Sequence, residues 1–202
     1  YFSIDTGEGG MVTTNDPALA ERLRLLRDHG VERDLSKLPN APGPWHFEMQ
    51  ELGFNFRMSD LNAALGLSQL GRLPDNVQRR RDHALIYDNM FSGVEGITLQ
   101  RQPKYAFSSY TFYVVRIDFA GFGKTRRTVM ETLEDRGIYT KVHYVPLHLQ
   151  PYYQQRFGFQ DGQFPIAEQY YAEALSLPIS AQLEPEDIER VATELISVLT
   201  AE

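Results

Sequence analysis

The chain contains no cysteine in its 202 residues, which removes disulfides and thiolate metal ligands and leaves the redox compartment open. It lacks any apolar run near the roughly 20 residues of a membrane-spanning helix, and it shows no basic-then-apolar leader. Basic residues are in deficit, with 20 Lys and Arg against 27 Asp and Glu for a net charge of −7. That balance argues against nucleic acid as the main partner, because a phosphate backbone requires a basic face. A local group of arginines or backbone amides can still hold an anionic ligand. What is present is ordinary for a soluble globular protein: 42% hydrophobic and 23% charged residues, in a length that builds one large domain or two small ones. A soluble, cytoplasmic protein is the expectation. Tyr1 stands directly before a Gly-rich turn; a compact domain rarely begins inside a motif, so an upstream portion is expected.

Met11–Thr14 is a short β-prone run after the turn Gly7-Glu8-Gly9-Gly10. Asp16 and Pro17 then suit the N-cap and first position of a helix, which carries Leu19, Leu23 and Leu26 on one stripe and stops at Gly30. Residues 31–50, with Pro39, Pro42, Gly43 and Pro44 and no periodicity, predict a long loop, and loops of that length are often functional. Ser59 is expected to cap a helix through Leu70, and Pro74 to open a second, basic at Arg79, Arg80 and Arg81, that ends near Gly93. Tyr110–Asp118 alternates as a strand does. A helix over about 125–136, a strand over 138–144, and helices near 165–175 and 185–200 complete the pattern. The sequence predicts a small α/β domain after a helical region.

Three segments carry chemistry. In Thr6–Asp16 the glycines allow positive φ and close approach to a ligand, although on residue types alone a plain turn between strands is the simpler account. In Gly53-Phe54-Asn55-Phe56-Arg57-Met58-Ser59-Asp60, Asn55 and Arg57 are two residues apart and share a face if the chain is extended. An amide beside a guanidinium can bind a phosphate or a sugar; alternatively Arg57 pairs with Asp60 and Asn55 caps the helix. The third segment, Lys141–Tyr153, clusters two histidines and three tyrosines around prolines. A metal site is conceivable, but no nearby carboxylate completes a usual ligand set, and a rigid aromatic loop packed on the domain is the simpler account.

Taken together and in order, these segments resemble the DegT/DnrJ/EryC1/StrS aminotransferases across almost the whole chain. Residues 6–16 match the family stretch T-G-E-G-G-M-V-T-T-N-D, residues 53–70 its G-F-N-F-R-M-S-D segment and following helix, and residues 143–153 and 164–178 its two C-terminal segments. The run Trp45–Leu52 with His143–Tyr153 is most similar to the subgroup of UDP-4-amino-4,6-dideoxy-N-acetyl-altrosamine transaminases, which serve pseudaminic-acid-type glycan synthesis. The resemblance implies the C-terminal portion of an α/β, fold-type-I enzyme dependent on pyridoxal 5'-phosphate (PLP). Residues 1–94 would end the large PLP domain and residues 95–202 form the small C-terminal domain. It implies transfer of an amino group from glutamate to a nucleotide-linked 4-keto-6-deoxy sugar, in a homodimer with shared active sites. By the same resemblance Ser3 and Asn55 would bind cofactor, and Arg57, His143, Tyr144 and His148 would bind substrate, with no metal.

No catalytic residue is assigned, because the family's PLP-bearing lysine is absent from this sequence. Counting back from Gly10 without gaps puts Phe2 at its position; with a gap, Phe2-Ser3 matches the start of the family stretch and Ile4 resumes it. Lys37, Lys104, Lys124 and Lys141 lie outside the motif. Thr111 is a second departure, since relatives often carry histidine there. The alternatives are a dehydratase of the same family, in which histidine replaces the lysine, and an inactive truncated paralogue.

Overall fold

The computed structural model describes residues 3–201. Contacts divide them into two compact units, residues 4–71 and residues 72–201 with Ser3. That division falls within a helix, upstream of the residue 94 at which the sequence ends the PLP domain.

In the first unit, helix α1 (Pro17–Arg27) begins as expected: the Asp16 carboxylate accepts from the Ala18 and Leu19 amides at 2.9 and 3.2 Å, with Pro17 opening the helix. The β-prone run Met11–Thr14 forms no strand, however, and is exposed coil, for no strand pairs with it among the described residues. The long loop is largely irregular as expected, but its ends close on each other, with β1 (Val31–Glu32) antiparallel to β2 (Glu48–Met49). Beside that pair the backbone crosses itself. Gly30, at φ 67°, lies so near residue 51 that a Cβ would meet the Glu51 carbonyl at 1.8 Å. A Cβ on Gly53 would meet the Gly30 nitrogen at 2.2 Å. Only glycine permits this approach, and it clamps residues 53–56 to the end of α1.

Helix α2 (Asp60–Phe91) is a single helix of 32 residues rather than two. Pro74 does not open a helix but sits inside this one, where it removes one backbone donor while its fixed φ remains helical. Ser59 caps it as expected, its hydroxyl accepting from the Asn62 amide at 3.3 Å. Only the second half is buried, along a stripe of Arg80, His83, Ala84, Tyr87 and Phe91 at helical spacing.

The second unit holds the core. Strands β3 (Ile97–Leu99), β4 (Tyr113–Ile117) and β5 (Ala174–Leu177) form an antiparallel sheet in that order, with Val115 facing Leu99 on one side and Leu175 on the other. Helix α3 (Arg126–Asp135), capped by Thr125, and helix α6 (Pro185–Thr200) pack together, α6 burying Ile188, Val191, Ala192, Leu195, Val198 and Leu199. Short helices α4 (Pro151–Phe157) and α5 (Pro165–Glu173) precede β5. Two expectations are corrected here. The strand beginning at Tyr110 starts only at Tyr113, because Tyr110 has φ 45° and leaves the extended region. The strand over 138–144 reduces to one bridge, Lys141 with Ser176, joined by amide-to-carbonyl bonds of 3.1 and 2.7 Å.

Candidate functional site

The glycine crossing determines where Asn55 and Arg57 stand. The Phe54 and Phe56 amides donate to the Leu26 and Arg27 carbonyls at 2.7 and 2.8 Å, and the His29 amide donates to the Phe54 carbonyl at 2.9 Å. The segment is therefore extended, and Asn55 and Arg57 share an exposed face as their spacing predicts. Arg57 Nε donates to Asn55 Oδ1 at 3.3 Å and lies 3.5 Å from Asp28 Oδ1, a charge contact without hydrogen-bond geometry. Arg57 thus pairs with Asp28, not Asp60, and Ser59 rather than Asn55 caps α2. With Asn55 Oδ1 occupied, the amide offers its NH2 group, and Arg57 its two Nη groups, to an incoming anion. Ser3 is grouped with the second unit.

In the second unit the two histidines of the aromatic segment have separate partners. His143 Nδ1 lies 2.7 Å from the Ser176 hydroxyl, and its ring stacks on Phe112 with centroids 4.0 Å apart. Burial, and then the charge of Lys141, lower its pKa below the usual 6.5, so the ring is neutral at pH 7. Tyr144 stands edge-on to it and is largely exposed. His148 is buried, its Nε2 2.8 Å from Glu168 Oε1 and its ring against Phe164. Tyr152, Tyr153, Phe157, Phe159 and Phe164 continue as a chain of ring contacts. Among the described residues no cluster of three metal-ligating side chains exists.

A cavity of about 330 Å³ opens beside His143, walled by Arg80, Thr111, Phe112, Lys141, Ser176 and Ser180 among others. Of the residues expected to bind substrate, His143 lines it; Tyr144 and His148 do not. The departure at Thr111 lies on its wall. Sequence reasoning missed Arg80, Ser176 and Glu168. A signal existed for Arg80, a charged residue on the apolar stripe of α2. None existed for Glu168, which meets His148 only through the fold.

Glu168 also accepts from the Gly162 amide at 2.9 Å and the Phe164 amide at 3.1 Å. Desolvation opposes its ionisation, but the bonds from His148 and these two amides outweigh it and hold its pKa below the usual 4.5. A carboxylate so lowered stabilises the fold above pH 4.5 and loses that contribution as pH falls through its folded pKa. The melting temperature should therefore drop on acidification below pH 4.5 more steeply in the wild type than in Glu168→Gln. Equal slopes would show that His148 and the two amides gain nothing from the charge.

Known proteins resemble the chain throughout this geometry. Residues 3–196 match the DegT/DnrJ/EryC1/StrS aminotransferase family. The spore coat polysaccharide biosynthesis protein SpsC of Bacillus subtilis is 36% identical over 94% of this chain and 49% of its own length. Among solved structures, Helicobacter pylori PseC, an aminotransferase involved in the biosynthesis of pseudoaminic acid, superposes with a TM-score of 0.81 at 30% identity, over 94% of this chain and 48% of its own. Spr1654 of Streptococcus pneumoniae, in its PMP-form, gives a TM-score of 0.79 at 28% identity, over 92% of this chain and 46% of its own. The chain thus spans about half the length of the relatives it matches.

Proposed function

Because the chain belongs to the DegT/DnrJ/EryC1/StrS aminotransferase family, we propose that the whole protein is a PLP-dependent aminotransferase that moves an amino group from glutamate to a nucleotide-linked 4-keto-6-deoxy sugar. The observation that carries this reading is the Asn55–Arg57 pair, fixed by the glycine crossing within the Gly53–Asp60 segment. Residues 1–94 are then the end of the large domain and residues 95–202 the small one.

The donors of this chain fit the phosphate end of the cofactor. Asn55 supplies an amide NH2 at a rigid, exposed position; Ser3 carries a hydroxyl that can donate to a phosphate. No described lysine sits in the family's cofactor motif: Lys37 is ion-paired with Glu21 and Glu32, and Lys141 lines the cavity beside His143. When bound, PLP supplies the electron sink that makes a proton on the adjacent carbon mobile. The residues of this chain bind and orient around that chemistry. Arg57 takes the charged part of the substrate, while His143 and Tyr144 offer a flat face and donors to sugar or base. His148 orients its loop through Glu168.

The uncovered face of the first unit supports the proposal of a homodimer. Leu38 is its only buried hydrophobic residue among those described, while Trp45, Leu52, Phe56, Leu61 and Leu67 are each 70% or more exposed. A contiguous apolar surface of this kind marks an interaction site, which in this proposal is shared between the rest of the large domain and a second subunit whose active site receives Asn55. The glycan context rests on the names of the relatives. The test is the first half-reaction: glutamate added to the whole protein loaded with PLP should bleach its visible absorbance and release 2-oxoglutarate. An unchanged spectrum with no 2-oxoglutarate would remove glutamate as the donor.

A further inference from the structure

Ser176 is the one polar side chain of β5, set between Leu175 and Leu177, and it is 5% exposed. A buried hydroxyl is costly unless it is hydrogen-bonded. Among the described residues its side-chain partner is His143, with Oγ 2.7 Å from Nδ1. The backbone there is held from two sides: Ser176 stands opposite Val114 of β4, and its amide and carbonyl bond to those of Lys141. The His143 ring is held in turn by its stack on Phe112. Both residues line the 330 Å³ cavity.

This contact has a direction. A neutral imidazole has one donor nitrogen and one acceptor, and the hydrogen bond made by one nitrogen decides the state of the other. Burial, and then the charge of Lys141, keep this ring neutral at pH 7. If Nδ1 carried the proton it would donate to Oγ, and the Ser176 hydroxyl hydrogen would have no acceptor among the described residues. If the hydroxyl donates to Nδ1 instead, both groups are satisfied and the ring proton resides on Nε2. A buried donor left unsatisfied costs more than a made bond gains, so the second arrangement prevails.

We propose, on the reading above that His143 meets the substrate, that Ser176 is a positioning residue: its buried hydroxyl donates to His143 Nδ1 and fixes the ring as the tautomer with its proton on Nε2. The consequence is selectivity. Nε2–H is a donor, so it favours an oxygen that accepts, such as a carbonyl, hydroxyl or phosphate oxygen of the nucleotide-linked sugar. Without the Ser176 hydroxyl the two tautomers compete, and only one of them donates from Nε2.

The experiment uses the whole protein, loaded with PLP and carrying 15N in its histidine rings; His143→Gln identifies the His143 signals by their loss. At pH 7 the wild type is expected to show a protonated Nε2 and an unprotonated Nδ1. In Ser176→Ala the two 15N shifts should move toward each other as the tautomers mix. The nucleotide-sugar KM should rise about twofold to tenfold, the range for one neutral hydrogen bond, with a smaller change in kcat. Ser176→Thr, which keeps the hydroxyl, should restore both. A protonated Nδ1 in the wild type, unchanged shifts in Ser176→Ala, or an unchanged KM in a variant whose tautomers do mix, each overturns the proposal. The ring signals need no substrate, so a wild type that turns over no sugar would remove the aminotransferase reading while the shifts still decide whether Ser176 sets the tautomer. If Ser176→Ala does not fold, the wild-type shifts decide alone, and a protonated Nδ1 overturns the assignment.

Discussion

Phe91→Ala should destabilise the chain by about 3–5 kcal/mol, the range for emptying a buried aromatic site, out of about 5–15 kcal/mol for a whole domain. Phe91 is 1% exposed, its ring stacked with Tyr87 at 5.8 Å, and Tyr87 stacks in turn on Tyr113 of β4 at 4.7 Å. The substitution thus removes the end of a three-ring column that joins α2 to the sheet. Tyr87 also donates from its hydroxyl to the Pro178 carbonyl at 2.8 Å, so the column cannot slide to fill the gap without breaking a buried bond. Leu61→Ala on the same helix, at a side chain 84% exposed, should change stability by no more than about 0.5 kcal/mol. Urea denaturation of both variants decides the matter: a similar small loss in each would mean that the second half of α2 is not part of the core.

Asn55→Ala and Arg57→Ala should each cost about tenfold to hundredfold in the whole protein, but in different quantities. One charge-assisted hydrogen bond contributes about 1.5–3 kcal/mol. Without the Asn55 amide, PLP should be lost more readily on dialysis while the substrate KM of the reloaded protein holds. Without Arg57, PLP retention should hold while the nucleotide-sugar KM rises. The two side chains touch each other at 3.3 Å, so some crossover is expected, and the double variant should fall short of the product of the two effects. Wild-type retention and KM in both variants would detach this segment from the active site.

The helix starts were legible because their signals are local. Asp16-Pro17, Thr125 and Glu184-Pro185 each place a cap or a helical φ at the first turn, and α1, α3 and α6 begin there. Pro74 misled for the complementary reason: the same residue that suits a first turn is tolerated inside a long helix when its neighbours hold the helix on both sides. Strand β5 was hidden, since Ala-Leu-Ser-Leu after a helix continues a helical pattern. Only its pairing with β4, Tyr113 opposite Leu177, makes it extended. At the candidate site, the shared face of Asn55 and Arg57 followed from their spacing. Asp28 as the ion-pair partner did not, because the Gly30–Gly53 crossing that brings it near joins distant parts of the chain. The Glu168 contact of His148 spans 20 residues, and the Ser176 contact of His143 spans 33.

The central claim is that this chain is part of an enzyme that installs nitrogen on a nucleotide-linked keto sugar. The measurement that addresses it most directly supplies the whole protein, loaded with PLP, with a UDP-linked 4-keto-6-deoxy-hexosamine and 15N-labelled glutamate, and follows the sugar by mass spectrometry. The account predicts a 4-amino sugar carrying the 15N label, formed together with an equal amount of 2-oxoglutarate. A sugar that loses water and gains no nitrogen, or one recovered unchanged, would contradict it.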